Sequence, residues 1–189
     1  NLFVGGSGVG LARIETVATV LGGVTVGVNG TLAGSGRVNS GSGITVQAGG
    51  TVSPGTSPGT LTLLPSLTLD GGSNYLVEIA GLASHDRVVS GSISANGTIT
   101  VVLDGYAPAG GNSFDIADGA ILGAPIFDFT GAVLGAGQAW DTSNFLVDGT
   151  IRVTGGMGSA YDVWADGFGL VGGKMDDDDN DGDSNLLEF

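Results

Sequence analysis

Val24 to Gly34 reads VTVGVNGTLAG, and Ile44 to Pro54 reads ITVQAGGTVSP. Each opens on an apolar-Thr-Val triplet and returns on Gly-Thr-apolar, and the second begins twenty residues after the first. A looser copy, SISANGTI, spans Ser92 to Ile99. Short alternating runs joined at Asn-Gly or Gly-Gly are the grammar of strands and tight turns. A fixed period near twenty predicts stacked rungs, each burying its apolar face on the next. Alternation then points Val24, Val26, Ile44 and Val46 inward and Thr45 outward. The fold class expected is all-β: a parallel β-helix (solenoid), or alternatively a β-sandwich-like stack of short strands with Asn-Gly hairpins. On that reading Asn29-Gly30-Thr31 and Asn96-Gly97-Thr98, formally glycosylation sequons, are primed turns.

Composition agrees with a packed β protein. Glycine supplies 38 of 189 residues, far above the usual share of roughly 7%. These glycines lie between Val, Ile, Leu and Thr runs, and hydrophobic residues make up 41% of the chain, so it is not low-complexity filler. The formal net charge is −14, of which residues 161–189 hold nine acids against one lysine. Such a chain is repelled by phosphate backbones and anionic lipid surfaces, which argues against nucleic-acid partners. No apolar run approaches the roughly 18 residues that cross a bilayer, so direct membrane insertion is not expected. With no cysteine there is no disulfide frame and no thiolate site. The chain starts at Asn1 without methionine and stops one residue after Glu188, which suggests a piece of a longer precursor.

The sharpest chemical pattern lies at the C-terminal end. Asp177, Asp179, Asp181, Gly182, Asp183, Asn185 and Glu188 occupy positions 1, 3, 5, 6, 7, 9 and 12 of a twelve-residue loop. A hard cation needs several oxygens at once, and alternate residues of a tight loop aim carboxylates inward around a glycine turn. Asp183 offers its backbone carbonyl and Glu188 both carboxylate oxygens. A plain acidic run explains the charge but not the glycine, asparagine and glutamate at their positions, so Ca²⁺ is the expected cofactor. Ser159, Asp162, Tyr161, Trp164 and Phe168 suit a short N-capped helix before the loop. Gly172-Gly173 separate the two, unlike a continuous EF-hand. The expected division is residues 1–154 as a β-rich repeat domain and 159–189 as helix plus acidic loop, with Thr154 to Gly158 as linker.

The stretches GTLAGSGRV (Gly30 to Val38), AGGTVSPGTSPGTLTL (Ala48 to Leu63), HDRVVSG (His85 to Gly91) and WDTSNFLVDGTIRV (Trp140 to Val153) resemble the autotransporter-associated β-strand repeat family. The resemblance covers roughly residues 20–155. Members are large bacterial surface and secreted proteins whose repeats are expected to wind into a parallel β-helix. Many end in a short Tyr/Trp helix and a DxDxDGxxNxxE loop of dockerin or thrombospondin type, as residues 161–189 do. The resemblance implies a passive exported scaffold and supplies no catalytic residue. The 189 residues include no sorting or barrel segment, a departure from the family's pattern that leaves the expected anchoring open.

Catalytic constellations are sparse. Gly55-Thr56-Ser57-Pro58-Gly59 matches GxSxG, but the residue after the serine must lend its N–H to an oxyanion and Pro58 has none. His85 is the only histidine, reads as a turn residue beside Asp86 and Arg87, and excludes any two-histidine zinc motif. The glycines of Gly5 to Gly10 fit no GxGxxG register. Scattered acids such as Glu78, Asp86, Asp104 and Asp115 leave a β-helix polysaccharide lyase or hydrolase open as an alternative, although only Arg13, Arg37, Arg87, Arg152 and Lys174 are basic. The expectation is a non-enzymatic structural protein, extracellular or at the bacterial cell surface, forming a homo-oligomer or fibre by head-to-tail contact and stabilised by calcium. The competing readings are a carbohydrate-binding adhesin module, with surface polysaccharide as partner, and the lyase or hydrolase. A solvent-exposed aromatic row would favour the adhesin, and a groove holding three clustered acids or an Arg/Lys pair the enzyme.

Overall fold

The structure is a computed structural model, and it describes residues 1–56 and 58–156. It is a stack of short parallel strands, a β-solenoid of about five turns. The strands are β1 (Leu2–Val4), β2 (Gly10–Arg13), β3 (Val17–Val20), β4 (Val24–Val26), β5 (Gly30–Gly34), β6 (Arg37–Ser40), β7 (Ile44–Val46), β8 (Thr51–Pro54) and β9 (Thr60–Leu69). Then come β10 (Asn74–Gly81), β11 (Ser84–His85), β12 (Arg87–Ala95), β13 (Thr98–Leu103), β14 (Ser113–Asp115), β15 (Ala117–Gly123), β16 (Ile126–Gly131) and β17 (Gln138–Asp141). The helix α1 (Phe145–Asp148) and β18 (Thr150–Gly155) close the described chain.

Three faces recur on each turn. The first stacks β1, β4, β7 and the second halves of β9, β12 and β15. The second stacks β2, β5, β8, β10, β13 and β16. The third stacks β3, β6 and the first halves of β9, β12 and β15. The twenty-residue period is the register itself, since Val24 pairs with Ile44, Thr25 with Thr45 and Val26 with Val46. The looser copy also belongs, because Ile93 stacks on Leu67, which stacks on Ile44. The parallel solenoid, and not the hairpin stack, is the architecture.

Alternation sorts the side chains as the sequence implies. Val24, Val26, Ile44, Val46, Leu67 and Leu69 are buried, while Thr25, Thr45 and Thr68 between them face outward. Inward residues of the three faces meet in one continuous apolar core from Val4 to Val153. Corners bring backbone polar groups into this core, and buried serines satisfy some of them. Ser40 Oγ donates to Gly22 O (2.9 Å) or Gly43 O (2.8 Å), and Ser90 Oγ to Leu63 O (2.6 Å).

The turns differ from the expected primed kind. Gly30 N–H donates to Gly27 O, Gly50 N–H to Gln47 O and Ser73 N–H to Asp70 O, so the same four-residue turn recurs on three rungs. Its third residue alone has positive φ, at Asn29 (59°), Gly49 (75°) and Gly72 (80°), the pattern of a type II turn. A primed hairpin turn reverses the chain onto its own neighbour, whereas here the chain must bend from the first face to the second and keep climbing. Asn96 has no positive φ, and its carboxamide oxygen instead accepts the Ala124 N–H of the next rung (3.3 Å).

A small antiparallel sheet, in the order β14-β18-β17, and α1 close the far end. Strand β18 runs through Gly155, just past the boundary expected at residue 154. Among the described residues no helix is long and apolar enough to cross a membrane.

Candidate functional site

The expected calcium ligands, Asp177, Asp179, Asp181, Asp183, Asn185 and Glu188, lie outside the described residues, as does the helix expected at 159–168. Among the described residues no cluster of His, Asp and Glu is arranged to hold a metal ion.

The densest polar chemistry among the described residues forms where the third face meets the cap. At its centre is Asp86, between β11 and β12, with no exposed surface. Its carboxylate accepts the N–H of Gly59 at 2.8 Å and of Glu78 at 3.0 Å, pinning the Gly55–Gly59 loop to β10. Burial raises its pKa to about 6 even though both hydrogen bonds favour the charged form. Arg87 reaches the next rung, where Nη2 meets Asp115 at 3.0 Å and Asp118 at 2.9 Å. Burial also raises Asp115, against the pull of Arg87. His85 Nε2 lies 3.2 Å from the Asp115 carbonyl oxygen, its ring edge-on to Phe114 at 5.7 Å. Tyr75, wholly inside, donates its hydroxyl proton to Ile116 O, and burial holds its pKa well above the usual value.

Of the acids singled out in the sequence, the fold gathers Glu78, Asp86 and Asp115 here and leaves Asp104 exposed at the end of β13. Asp118 joins them without any sequence signal, because its partner Arg87 is thirty-one residues away. Chemically the group reads as a strut. One arginine neutralises two acids on the neighbouring rung, and Asp86 spends both oxygens on backbone donors. The Gly55–Gly59 loop joins strand β8 to strand β9 with no helix after it, and the Gly59 N–H is already taken by Asp86. From Thr60 the chain runs on as a strand, whereas a nucleophile elbow leads into a helix.

The native state thus holds a proton on Asp86 up to about pH 6, while the unfolded chain releases it near 3.8. Between those values the folded form binds more protons, so the stability tied to Asp86 is fullest below pH 4 and is lost as pH rises to 6. The expected loss is about 3 kcal/mol at most. Chemical denaturation from pH 3.5 to 7.5 should show this slope, and Asp86→Asn should flatten it while costing one backbone acceptor. Identical slopes in both proteins would remove Asp86 from the account.

Among the described residues, four aromatic side chains meet at the cap. Phe127 and Phe129, i and i+2 on β16, turn inward over the last rung. Phe129 stacks on Trp140 at 5.0 Å with planes 6° apart, and Phe145 of α1 meets Phe127 edge-on at 5.2 Å. Trp140 Nε1 donates to Ala132 O at 2.9 Å. A cavity of about 310 Å³ opens beside them, lined by Gly123, Pro125, Phe127, Thr142, Phe145 and Leu146. The rings are half-buried plugs that cover the solenoid's end and stack on one another, so they form no exposed row along a β face.

Neither the family models nor the curated proteins compared with this chain give a match.

Proposed function

We propose that this chain is a non-enzymatic structural subunit of an extracellular or cell-surface assembly, a short rigid rod with a calcium-binding loop at its C-terminal end. The observation that carries the reading is the use made of the inward columns. From Val4 to Phe127 they are filled by apolar side chains that lock each rung to the next. Outward columns are mainly small polar residues, such as Thr31, Thr51, Asn74 and Thr98 on the second face. The chain thus spends its sequence on stiffness. The densest polar cluster among the described residues ties rungs together through Arg87 and Asp86, and Phe127, Phe129, Trp140 and Phe145 plug an end.

Calcium has a stated role in this reading. Five carboxylates, Asp177, Asp179, Asp181, Asp183 and Glu188, repel one another without the ion, so Ca²⁺ stabilises residues 176–189 in one conformation. Calorimetry is expected to show uptake with affinity between micromolar and about 1 mM, abolished in the double variant Asp177→Ala, Glu188→Ala. The structural reading is tested on the same protein by incubation with pectic, β-glucan and chitin oligosaccharides in calcium. Unchanged oligosaccharides and no measurable binding are expected. New reducing ends or unsaturated products, abolished by Asp115→Ala, would replace the structural reading with the enzyme, and saturable binding without cleavage would replace it with the adhesin.

A further inference from the structure

The chain contains two Asn-Gly steps, Asn29-Gly30 and Asn96-Gly97, and threonine follows each, at Thr31 and Thr98. Such a step can react with itself, because glycine sets no Cβ between its own nitrogen and the carboxamide carbon of the asparagine before it. Both steps lie where the first face bends into the second. Exposure does not separate them, since both asparagines are exposed and both glycines are buried. Their hydrogen bonds do.

The bend is not the same length on every rung. Val26, Val46, Leu69 and Ala95 stack in one inward column, and Thr31, Thr51, Asn74 and Thr98 stack in one outward column of the next face. The chain takes five steps from Val26 to Thr31, from Val46 to Thr51 and from Leu69 to Asn74, but three from Ala95 to Thr98. The long bends hold the type II turn. On the first of them Gly30 N–H donates to Gly27 O at 2.9 Å, and Asn29 N–H to Gly49 O at 3.0 Å. The nitrogen of Gly30 is thus committed within its own turn. On the short bend the residue three before Gly97 is Ser94, which lies inside β12 in register with Thr68 and Leu122. Its carbonyl belongs to the strand, and the turn bond of Gly30 has no counterpart between Gly97 and Ser94.

The short bend also draws the Asn96 carboxamide into the stack. Its Oδ1 accepts the Ala124 N–H at 3.3 Å, and its Nδ2 donates to Ser94 Oγ at 3.2 Å. A backbone N–H needs an acceptor, so the Ala124 contact fixes which end of the carboxamide is oxygen. It also places a donor at the atom on which negative charge collects when the carboxamide carbon is attacked. At Asn29 the contact is made by Nδ2, 3.5 Å from Gly6 O, and stabilises no charge on the oxygen.

We infer that Asn96 is a site of spontaneous deamidation in the folded protein and that the same step at Asn29 is protected. Gly97 N gives its proton to hydroxide, and its electron pair forms a bond to Asn96 Cγ. The Cγ–Nδ2 bond then breaks, and the nitrogen takes a proton from water and leaves as ammonia. A cyclic imide remains, with Gly97 N bonded to both carbonyl carbons of residue 96. Water opening the imide at Cγ gives aspartate, and water opening it at the main-chain carbonyl gives isoaspartate. Nothing is oxidised or reduced. Aspartate keeps an oxygen for Ala124, whereas isoaspartate adds a methylene to the main chain of the shortest bend. That bend has no slack, because a Cβ on Gly97 would already stand 2.3 Å from Ser73 Oγ on the rung before. The site stands on the length of the bend and its contacts, and holds whether the rod is structural, adhesive or catalytic.

The full chain is its own control, since both steps read Asn-Gly-Thr. The protein is incubated at mildly alkaline pH, folded in buffer and unfolded in urea, then digested in acid. Mass spectrometry follows the conversion of each asparagine, and electron-transfer fragmentation identifies isoaspartate. Dividing each native rate by the rate in urea removes the effect of local sequence. The quotient for Asn96 is expected to exceed that for Asn29 by about tenfold, the effect of one backbone hydrogen bond that must break at Gly30 and not at Gly97. Equal quotients, or a larger one at Asn29, would overturn the inference.

Discussion

Val46→Asp is expected to abolish the folded solenoid, while Thr45→Asp, one residue away, leaves it standing. Val46 has no exposed surface and is stacked between Val26 and Leu69 in the inward column of the first face. No cation lies among its ladder neighbours, and the nearest arginines of the sequence are on other faces or rungs. An unpaired carboxylate there costs several kcal/mol, of the order of 4. Against a total stability of roughly 5–15 kcal/mol, and in an array where each rung is held by its neighbours, that removes the native state or brings it to the edge. Thr45 sits between Thr25 and Thr68 on the outer surface, and the same substitution there should cost under about 1 kcal/mol. Urea unfolding followed by far-ultraviolet circular dichroism measures both. Equal losses at the two positions would contradict the inward–outward register.

The second large effect is expected at Gly34, where the second face turns toward the third. Its φ is +112°, and a Cβ there would stand 2.1 Å from the carbonyl oxygen of Ile14 on the rung before. That oxygen is held by the N–H of Gly36, so it has nowhere to move. Gly34→Ala therefore combines left-handed strain with backbone displacement and should cost more than about 3 kcal/mol. Gly105 is the control, with φ +67° and nothing within 4 Å of the added carbon. Gly105→Ala should cost only the conformational 1–2 kcal/mol or so. For a chain of this size that separates the thermal midpoints by several degrees, at about 2–4 °C per kcal/mol. Equal midpoints would mean that the rungs do not approach each other at this corner.

What the sequence made legible is what the period preserves. VTVGVNGTLAG and ITVQAGGTVSP align without insertion, and the structure pairs them residue for residue. The next rung, LTLDGGSNY from Leu67 to Tyr75, has the same length from first strand to second and the same turn, yet escaped notice. Its offset is twenty-three residues, because the Gly55–Gly59 loop lengthens one corner and β9 runs on through the next. Asn74 also stands where the earlier copies have threonine. The cap was not legible at all. β14 pairs with β18 across some thirty-seven residues in antiparallel sense, so no repeat announces it, and α1 is a single turn without a side-chain N-cap. The polar cluster shared that fate. Arg87 finds Asp115 and Asp118 only because one rung happens to be twenty-nine residues long at that face, where Val88 stacks on Ala117.

Everything above depends on rungs stacked in parallel at the stated register. A direct test is the distance between nitroxides placed at Thr25 and Leu122, and separately at Thr31 and Ile126. Both pairs lie in outward columns four rungs apart, through Thr45, Thr68 and Ser94 in one case and Thr51, Asn74 and Thr98 in the other. At about 4.8 Å per rung the attachment points are separated by roughly 19 Å in each. Pulsed electron resonance should give two narrow distributions of similar mean near that value. Distinct means for the two pairs, or distances well beyond 30 Å, would contradict the solenoid register and with it the rod.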